Sequence, residues 1–224
     1  FMDCTSLTDI QFSKMLSYMD VGCFMNCTSL KSIELPKTLT YLYREVFRGC
    51  SALENVTFLT TSLNTLNDYT FSGCTSLKEV FVGSGVLAIG ENAFADCSNL
   101  SGINIPLQWT IPKRSGYVVG GSIFTGCTKL TTITVPEGMT ALPAGAFDNC
   151  ESLQKINLPS TLLTVGDYAF RSCVSLTKLE LPDTVQTIGN YAFEGFSRLS
   201  GVTIPDGCDI GDYAFKDCSG LIEI

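Results

Sequence analysis

Phenylalanine recurs along this chain at nearly constant spacing, and this repeat limits the possible folds more than any other feature. The steps from one recurrent phenylalanine to the next are 23, 23, 24, 23, 30, 23, 23, 23 and 22 residues. The phenylalanines in this register are Phe1, Phe24, Phe47, Phe71, Phe94, Phe124, Phe147, Phe170, Phe193 and Phe215. A fixed period of roughly 20–50 residues is the signature of arrays whose units stack on their neighbours. The sequence therefore predicts a repeat architecture.

Other columns keep the same register. A cysteine follows each phenylalanine by three residues, except in the ninth unit, where Phe196 takes its place, and a leucine comes three residues later in every unit. The cysteines of this column are Cys4, Cys27, Cys50, Cys74, Cys97, Cys127, Cys150, Cys173 and Cys218. After the leucine, two further hydrophobic residues alternate with one outward residue, as in "LKSIEL" from Leu30 to Leu35. This alternation predicts a short strand with one buried face.

Each unit has internal signals for its turns. Proline follows the strand in six units and stops it, because proline cannot donate to a sheet ladder. A second apolar pair follows, such as Val185 and Ile188, and then often a glycine, such as Gly189, where we expect a turn with unusual backbone angles. One such coil cannot bury its own apolar side, so we expect coils to stack as a solenoid with parallel strands about 4.8 Å apart. The prediction is a single domain over residues 1–224, with about ten 23-residue repeats and an insertion around 107–120.

The cysteine column allows four interpretations: disulfides, metal sites, reactive thiols or packing. Stacked residues point their Cβ atoms in parallel, whereas a disulfide needs them convergent. The only close cysteine pair is Cys23 and Cys27, and Cys23 stands in a column that is otherwise alanine, so the pair does not resemble a metal site. A bulky hydrophobic residue, Phe196, fills the same position in one unit. We therefore predict that the cysteines pack as small apolar side chains and that the chain binds no metal and no cofactor.

Composition excludes several functions. The formal net charge is −8, which disfavours binding to nucleic acid and electrostatic attachment to anionic lipid. The chain has no histidine, which excludes Ser-His-Asp and Cys-His catalysis. No apolar run reaches the roughly 18 residues of a membrane span. We expect no enzyme, no membrane insertion in this segment and no nucleic-acid partner.

The pattern "AFxxCxSLxxIxLPxxLxxIGxxAF" resembles the BspA-like, or Treponema-type, leucine-rich repeat over nearly the whole chain. The resemblance implies a right-handed, β-rich solenoid with short parallel strands on the concave face and turns, irregular segments or short 3-10 segments on the convex face. It also implies a secreted or surface-displayed protein that binds other macromolecules, in a family associated with attachment to host matrix proteins and to other cells. Since the chain begins "FMDCTSL", we expect it to be a piece of a longer protein.

The candidate binding residues lie where the repeat departs from its pattern. Phe81 stands in an outward column that is otherwise polar, and the 30-residue step contains Trp109, Lys113, Arg114 and Tyr117. Insertions in solenoids often lie on the binding face, and Trp, Tyr and Arg are enriched at interface hot spots. The alternatives are that Phe81 packs against Phe58 or the insertion, and that the insertion has no function.

Two functions therefore remain open. The first is a non-catalytic scaffold that binds a protein, or a glycan, on the concave face or the insertion loop. The second is a structural spacer in a larger surface protein with no ligand of its own. Mutation of Phe81 or Trp109 separates them, because it weakens binding only in the first case.

Overall fold

The computed structural model describes residues 1–104, 113–114, 117–118 and 121–223, which form stacked coils of short strands and turns. The strands are β1 (Tyr18–Met19), β2 (Ser32–Leu35), β3 (Tyr41–Leu42), β4 (Asn55–Phe58), β5 (Thr65–Leu66), β6 (Glu79–Phe81), β7 (Ala88–Ile89), β8 (Gly102–Asn104), β9 (Lys113–Arg114), β10 (Tyr117–Val118), β11 (Thr132–Thr134), β12 (Ala141–Leu142), β13 (Lys155–Asn157), β14 (Thr164–Val165), β15 (Thr187–Ile188) and β16 (Asp209–Ile210). The described part of the chain contains no α-helix.

The concave face is built from β2, β4, β6, β8, β11 and β13, which are the strands predicted from the alternating pattern. They pair in parallel across neighbouring coils, β2 with β4, β6 with β8, and β11 with β13. Register partners such as Ile33 and Val56 are one repeat apart, and both are buried. Their neighbours along each strand, such as Glu34 and Thr57, face outward. The pairing thus converts the 23-residue period of the sequence directly into strand register.

A second column of two-residue parallel strands lines the opposite side of the coils. It contains β1, β3, β5, β7, β12, β14, β15 and β16, and in the C-terminal half β12, β14, β15 and β16 form one four-stranded sheet. Each of these strands contains the second residue of the apolar pair, as β15 contains Ile188. The sequence predicted the apolar pair but not that it would form a hydrogen-bonded strand. Register partners are 23 residues apart until Thr187 pairs with Asp209, where the shorter last coil reduces the offset to 22.

The core is a continuous stack of phenylalanine rings. Consecutive rings lie 5.2–5.7 Å apart between centroids, with interplanar angles of 4–20°. The stack continues across the insertion, because Phe94 and Phe124 remain 5.7 Å apart despite the 30-residue step. The ring stack of the core is therefore continuous from Phe94 to Phe124.

The turn that carries each phenylalanine forms a third hydrogen-bonded column. In the turn around Phe71, the backbone amides of Tyr69, Phe71 and Gly73 each donate to a carbonyl of the next coil at 2.8 Å. Left-handed backbone angles at Tyr69 (φ 57°) and Gly73 (φ 74°) point these amides to the same side. The glycines expected to supply unusual angles do not have them. Gly189 has no positive φ and is instead packed against the preceding coil, where an added Cβ would lie 2.5 Å from the Asp167 amide nitrogen.

Candidate functional site

The cysteines of the repeat form a column of thiols in the core, and most of these thiols contact a backbone carbonyl of the preceding coil. The Sγ atom of Cys150 lies 3.2 Å from the carbonyl oxygen of Phe124 in the preceding coil and donates to it, and Cys50, Cys74, Cys97, Cys127 and Cys173 make the equivalent contact at 3.1–3.2 Å. All eleven cysteines are free thiols. Burial raises the pKa of Cys50 to about 12 and also raises the pKa of the buried thiols of the following coils, Cys74, Cys97, Cys127, Cys150 and Cys173. A protonated, buried thiol is a poor nucleophile, so this column is not a reactive site.

Phe81 is the exposed aromatic residue among the described strands of the concave face. The residue is 71% exposed, so it is not part of the core, and no described ring contact joins it to Phe58. Packing against the insertion lies outside the described residues. The other outward residues of the concave strands are polar or glycine: Ser32, Glu34, Asn55, Thr57, Glu79, Gly102, Asn104, Thr132, Thr134, Lys155 and Asn157. An exposed aromatic ring on a polar sheet is the composition expected of a contact point for another molecule.

A shallow cavity of about 310 Å³ adjoins the Phe81 ring. It is lined by residues of two paired strands, Glu79 to Phe81 on β6 and Gly102 to Asn104 on β8. The β6–β8 register places Glu79 opposite Gly102 and Phe81 opposite Asn104. The cavity is therefore bounded by one aromatic ring and one carboxylate, with a glycine opposite the carboxylate.

Asn104 holds the edge of this cavity in place. Its Oδ1 accepts a hydrogen bond from the Val82 amide at 2.6 Å, and its Nδ2 donates to the Val82 carbonyl at 3.3 Å. The side chain thus completes the strand ladder just beyond β6, so both of its polar atoms are already bonded. Asn104 acts as a fixed wall next to Phe81.

The charges around the cavity are uneven. No ion pair of Glu79 occurs within the part of the chain that the structure describes, whereas the neighbouring Lys78 bonds Glu54 at 2.7 Å and lowers the pKa of that carboxyl. The outward residues of β2, β4, β6 and β8 include the carboxylates Glu34 and Glu79 and no basic side chain. The charged outward residues within these four strands are therefore all acidic.

Two larger grooves lie at the two ends of the concave face. The N-terminal groove, of about 800 Å³, includes Asp9 and Glu34 with Lys14 and Lys37 at its edge. The C-terminal groove, of about 1030 Å³, includes Glu180, whose carboxylate pairs with Lys178 at 2.5 Å. Both grooves contain charges of both signs, and neither contains an exposed aromatic ring.

The residues predicted on the insertion are placed only in part. Trp109 lies outside the described residues. Lys113 and Arg114 form β9 and Tyr117 belongs to β10; the two strands pair antiparallel, with Tyr117 opposite Arg114. The described backbone of the insertion is thus an antiparallel pair of two-residue strands, and no described contact joins it to Phe81. A role for these four residues stays a prediction.

Two tyrosine clusters occur away from the concave face. Tyr168, Tyr191 and Tyr213 stack with centroid distances of 5.2 and 5.0 Å, and the Arg171 guanidinium lies 4.9 Å from the Tyr168 ring centre. These three tyrosines therefore pack against one another along the stacked coils. The sequence reasoning missed a second cluster, Tyr18, Tyr41 and Tyr43, whose side chains are 41–60% exposed on and beside β1 and β3. These tyrosines lie at outward positions on and beside the second column of strands. The sequence pattern did not identify that segment as a strand, so the shared position of the tyrosines was missed.

Two further features, a metal-binding group and a membrane-spanning helix, do not occur in the described residues. No group of three or more Cys, Asp or Glu side chains there is arranged to hold a metal ion. No helix in the described part of the chain has the length and apolar character that crossing a lipid bilayer requires.

Stacked coils with leucine-bearing parallel strands on one face define the class of protein: a leucine-rich-repeat solenoid. The family model for the BspA type leucine-rich repeat region, in six copies, matches residues 1–117 and 107–222. The chain belongs to this family. No protein of curated function is significantly similar to it in sequence.

Solved structures agree with this fold. A leucine-rich-repeat protein of T. pallidum superposes with a TM-score of 0.65 at 23% identity, covering 72% of each chain. One from Eubacterium ventriosum gives 0.60 at 21% identity, over 85% of this chain and 59% of the other. A leucine-rich cell surface protein of Faecalibacterium prausnitzii gives 0.51 at 22% identity, over 100% of this chain and 74% of the other. At these identities the similarity establishes the fold alone.

Proposed function

We propose that this chain is a non-catalytic scaffold, displayed outside the cell, that binds another protein on its concave face with Phe81 as the central anchor. The observation that carries the proposal is the 71% exposed Phe81 ring beside a cavity, on a sheet whose other outward residues are polar or glycine. Such a ring makes little contribution to the fold, whereas aromatic anchors supply much of the energy at protein interfaces.

The chemistry of the remaining groups supports a binding role over catalysis. The thiols of the core column are protonated and bonded to backbone carbonyls, and the sequence has no histidine that could serve as a general base. The cavity at Phe81 is bordered by a single carboxylate, Glu79. One carboxylate and one phenyl ring can bind a partner but lack the paired acid and base of a hydrolytic site.

Display at the cell surface is supported by similarity. The matching Faecalibacterium prausnitzii structure is described as a cell surface protein. The insertion is the second proposed contact region, through Trp109, Lys113, Arg114 and Tyr117, because insertions in solenoids often lie on the binding face.

The alternative function is a spacer that holds another domain and has no ligand. Binding of the purified chain to extracellular-matrix proteins and to intact cells, measured by surface plasmon resonance and flow cytometry, separates the two. We expect Phe81→Ser to weaken binding at least tenfold and Thr134→Ala, a matched change on the same face, to leave it unchanged. Absence of binding, or equal binding by both variants, contradicts the role of Phe81. A Trp109→Ala variant tests the insertion independently.

A further inference from the structure

The cavity between β6 and β8 combines three features that each favour the same kind of ligand group. Glu79 and Phe81 are two residues apart on one strand, so their side chains project from the same face about 7 Å apart. Across the pair stands Gly102, which has no side chain to fill the space opposite Glu79. The volume of about 310 Å³ is at the lower end of the range of roughly 300–1,000 Å³ for ligand pockets. It suits a single long side chain.

The backbone does not require a glycine at position 102. Its φ is not positive, and a Cβ placed there would meet no heavy atom within 4 Å. The open space beside the Glu79 carboxylate is therefore a property of the surface and not a by-product of a tight turn. It also means that the space can be filled by mutation without straining the coil.

The charges select a cation as the occupant. Glu79 makes no ion pair among the described residues, and the nearest lysine in sequence, Lys78, is already bonded to Glu54. Glu34 adds a second carboxylate on the same half of the face, where the outward residues of β2, β4, β6 and β8 include no lysine or arginine. Lysine and arginine have an apolar stem and a charged end, which match an aromatic ring next to a carboxylate.

We propose that this cavity, bounded by Glu79, Phe81 and Gly102, binds a lysine or arginine side chain of the partner protein. The methylene groups lie on the Phe81 ring, and the cation contacts the Glu79 carboxylate with Asn104 as the opposite wall. This inference rests on the proposed function, since it specifies the chemistry of the partner at the same face.

Nuclear magnetic resonance titration of the 224-residue chain with a tripeptide tests this proposal. The probe is acetyl-Gly-Lys-Gly-amide, and the matched uncharged probe has the lysine Nζ acetylated. We expect shift changes at the amides of Glu79 to Phe81 and Gly102 to Asn104, with upfield shifts of the lysine methylene protons from the ring current of Phe81. Loss of the methylene packing on the ring in Phe81→Ala should raise Kd about two- to fivefold. Glu79→Gln should reduce the dependence of binding on salt.

Gly102→Leu fills the cavity and should abolish the shift changes, whereas Thr132→Leu, an outward change on β11, should retain them. Circular dichroism of each variant confirms that it is folded. Equal binding of the acetylated tripeptide, shift changes elsewhere on the chain, or a response to maltotriose in place of the lysine peptide would each overturn the proposal. If proteins bind through Phe81 while the tripeptide does not, the cation inference fails and the proposed function stands. If the tripeptide binds at Glu79 and Phe81 but no protein binds the chain, the proposed function fails and the cavity's preference for a cation stands.

Discussion

Replacement of Cys150 by alanine tests the role assigned to the thiol column. The Cys150 side chain has no exposed surface, and its sulfur fills space between stacked coils. Removing a buried apolar group the size of a methylene costs about 0.8 kcal/mol in transfer free energy. A cavity term adds to this, because neighbouring coils collapse only partly into the space.

The hydrogen bond of the thiol adds a smaller amount. The Phe124 carbonyl that accepts from the Cys150 thiol also accepts from the Cys127 amide at 3.0 Å, so it keeps a donor after the mutation. The lost bond then contributes about 0.5 kcal/mol, at the low end of the usual range. We therefore expect Cys150→Ala to lower the free energy of unfolding by about 1.5–2 kcal/mol.

Cys208→Ala is the matched control. Cys208 is only partly buried, and its Sγ lies 3.7 Å from the carbonyl of its own neighbour, Asp209, outside the thiol column. We expect this variant to lose less than about 0.5 kcal/mol. Urea unfolding under reducing conditions, followed by far-ultraviolet circular dichroism, compares the midpoints at constant slope. Equal losses in the two variants, or no loss for Cys150→Ala, would refute the packing role of the column.

Two further predictions follow from the same coils. Burial raises the pKa of Cys50 to about 12, whereas thiols in the unfolded chain titrate near ~8.5. Stability is then complete below the unfolded pKa and falls as pH rises toward the folded values, by about 1.4 kcal/mol per thiol per pH unit. We expect cooperative unfolding above about pH 9 in reducing buffer by circular dichroism, and a flat profile to pH 11 contradicts it. Gly189→Ala should cost about 1–3 kcal/mol in urea unfolding, because its Cβ would collide with the Asp167 backbone, while Gly102→Ala should be nearly neutral.

The sequence predicted the concave strands because their buried and outward residues alternate over enough positions. In β2 the pattern Ser32, Ile33, Glu34, Leu35 is outward, buried, outward, buried, as expected from the repeat. The second strand column has only two residues per coil, such as Thr187 and Ile188, which is too short for a periodicity of two to be recognised. Its strands form because the first column already fixes the coil-to-coil register. Their hydrogen bonds therefore depend on stacking and not on a local signal.

Left-handed backbone angles occur at tyrosines and not at the glycines where the sequence predicted them. Gly189 was expected to supply a left-handed angle, but it is needed because two backbones approach closely there. The left-handed angles fall instead on side-chain-bearing residues such as Tyr168 (φ 57°) and Tyr191 (φ 55°). Their rings stack at 5.2 Å and their amides bond to the next coil, and these interactions offset the backbone strain. The ring stacking and the amide hydrogen bonds exist only between stacked coils, so the sequence of a single repeat cannot predict the left-handed angles.

The candidate site could be located from the sequence but not described by it. Phe81 stood out because its column is polar in the other units, and this required only the repeat register. Two other features depend on strand pairing between coils and could not be predicted. Gly102 lies opposite Glu79, and the Asn104 side chain bonds the Val82 backbone beside the strand. Because Phe81 is 71% exposed, its removal should leave the free energy of unfolding nearly unchanged. Any loss of binding in a Phe81 variant can therefore be assigned to the surface, which separates function from folding at this position in a way that no core column of the solenoid allows.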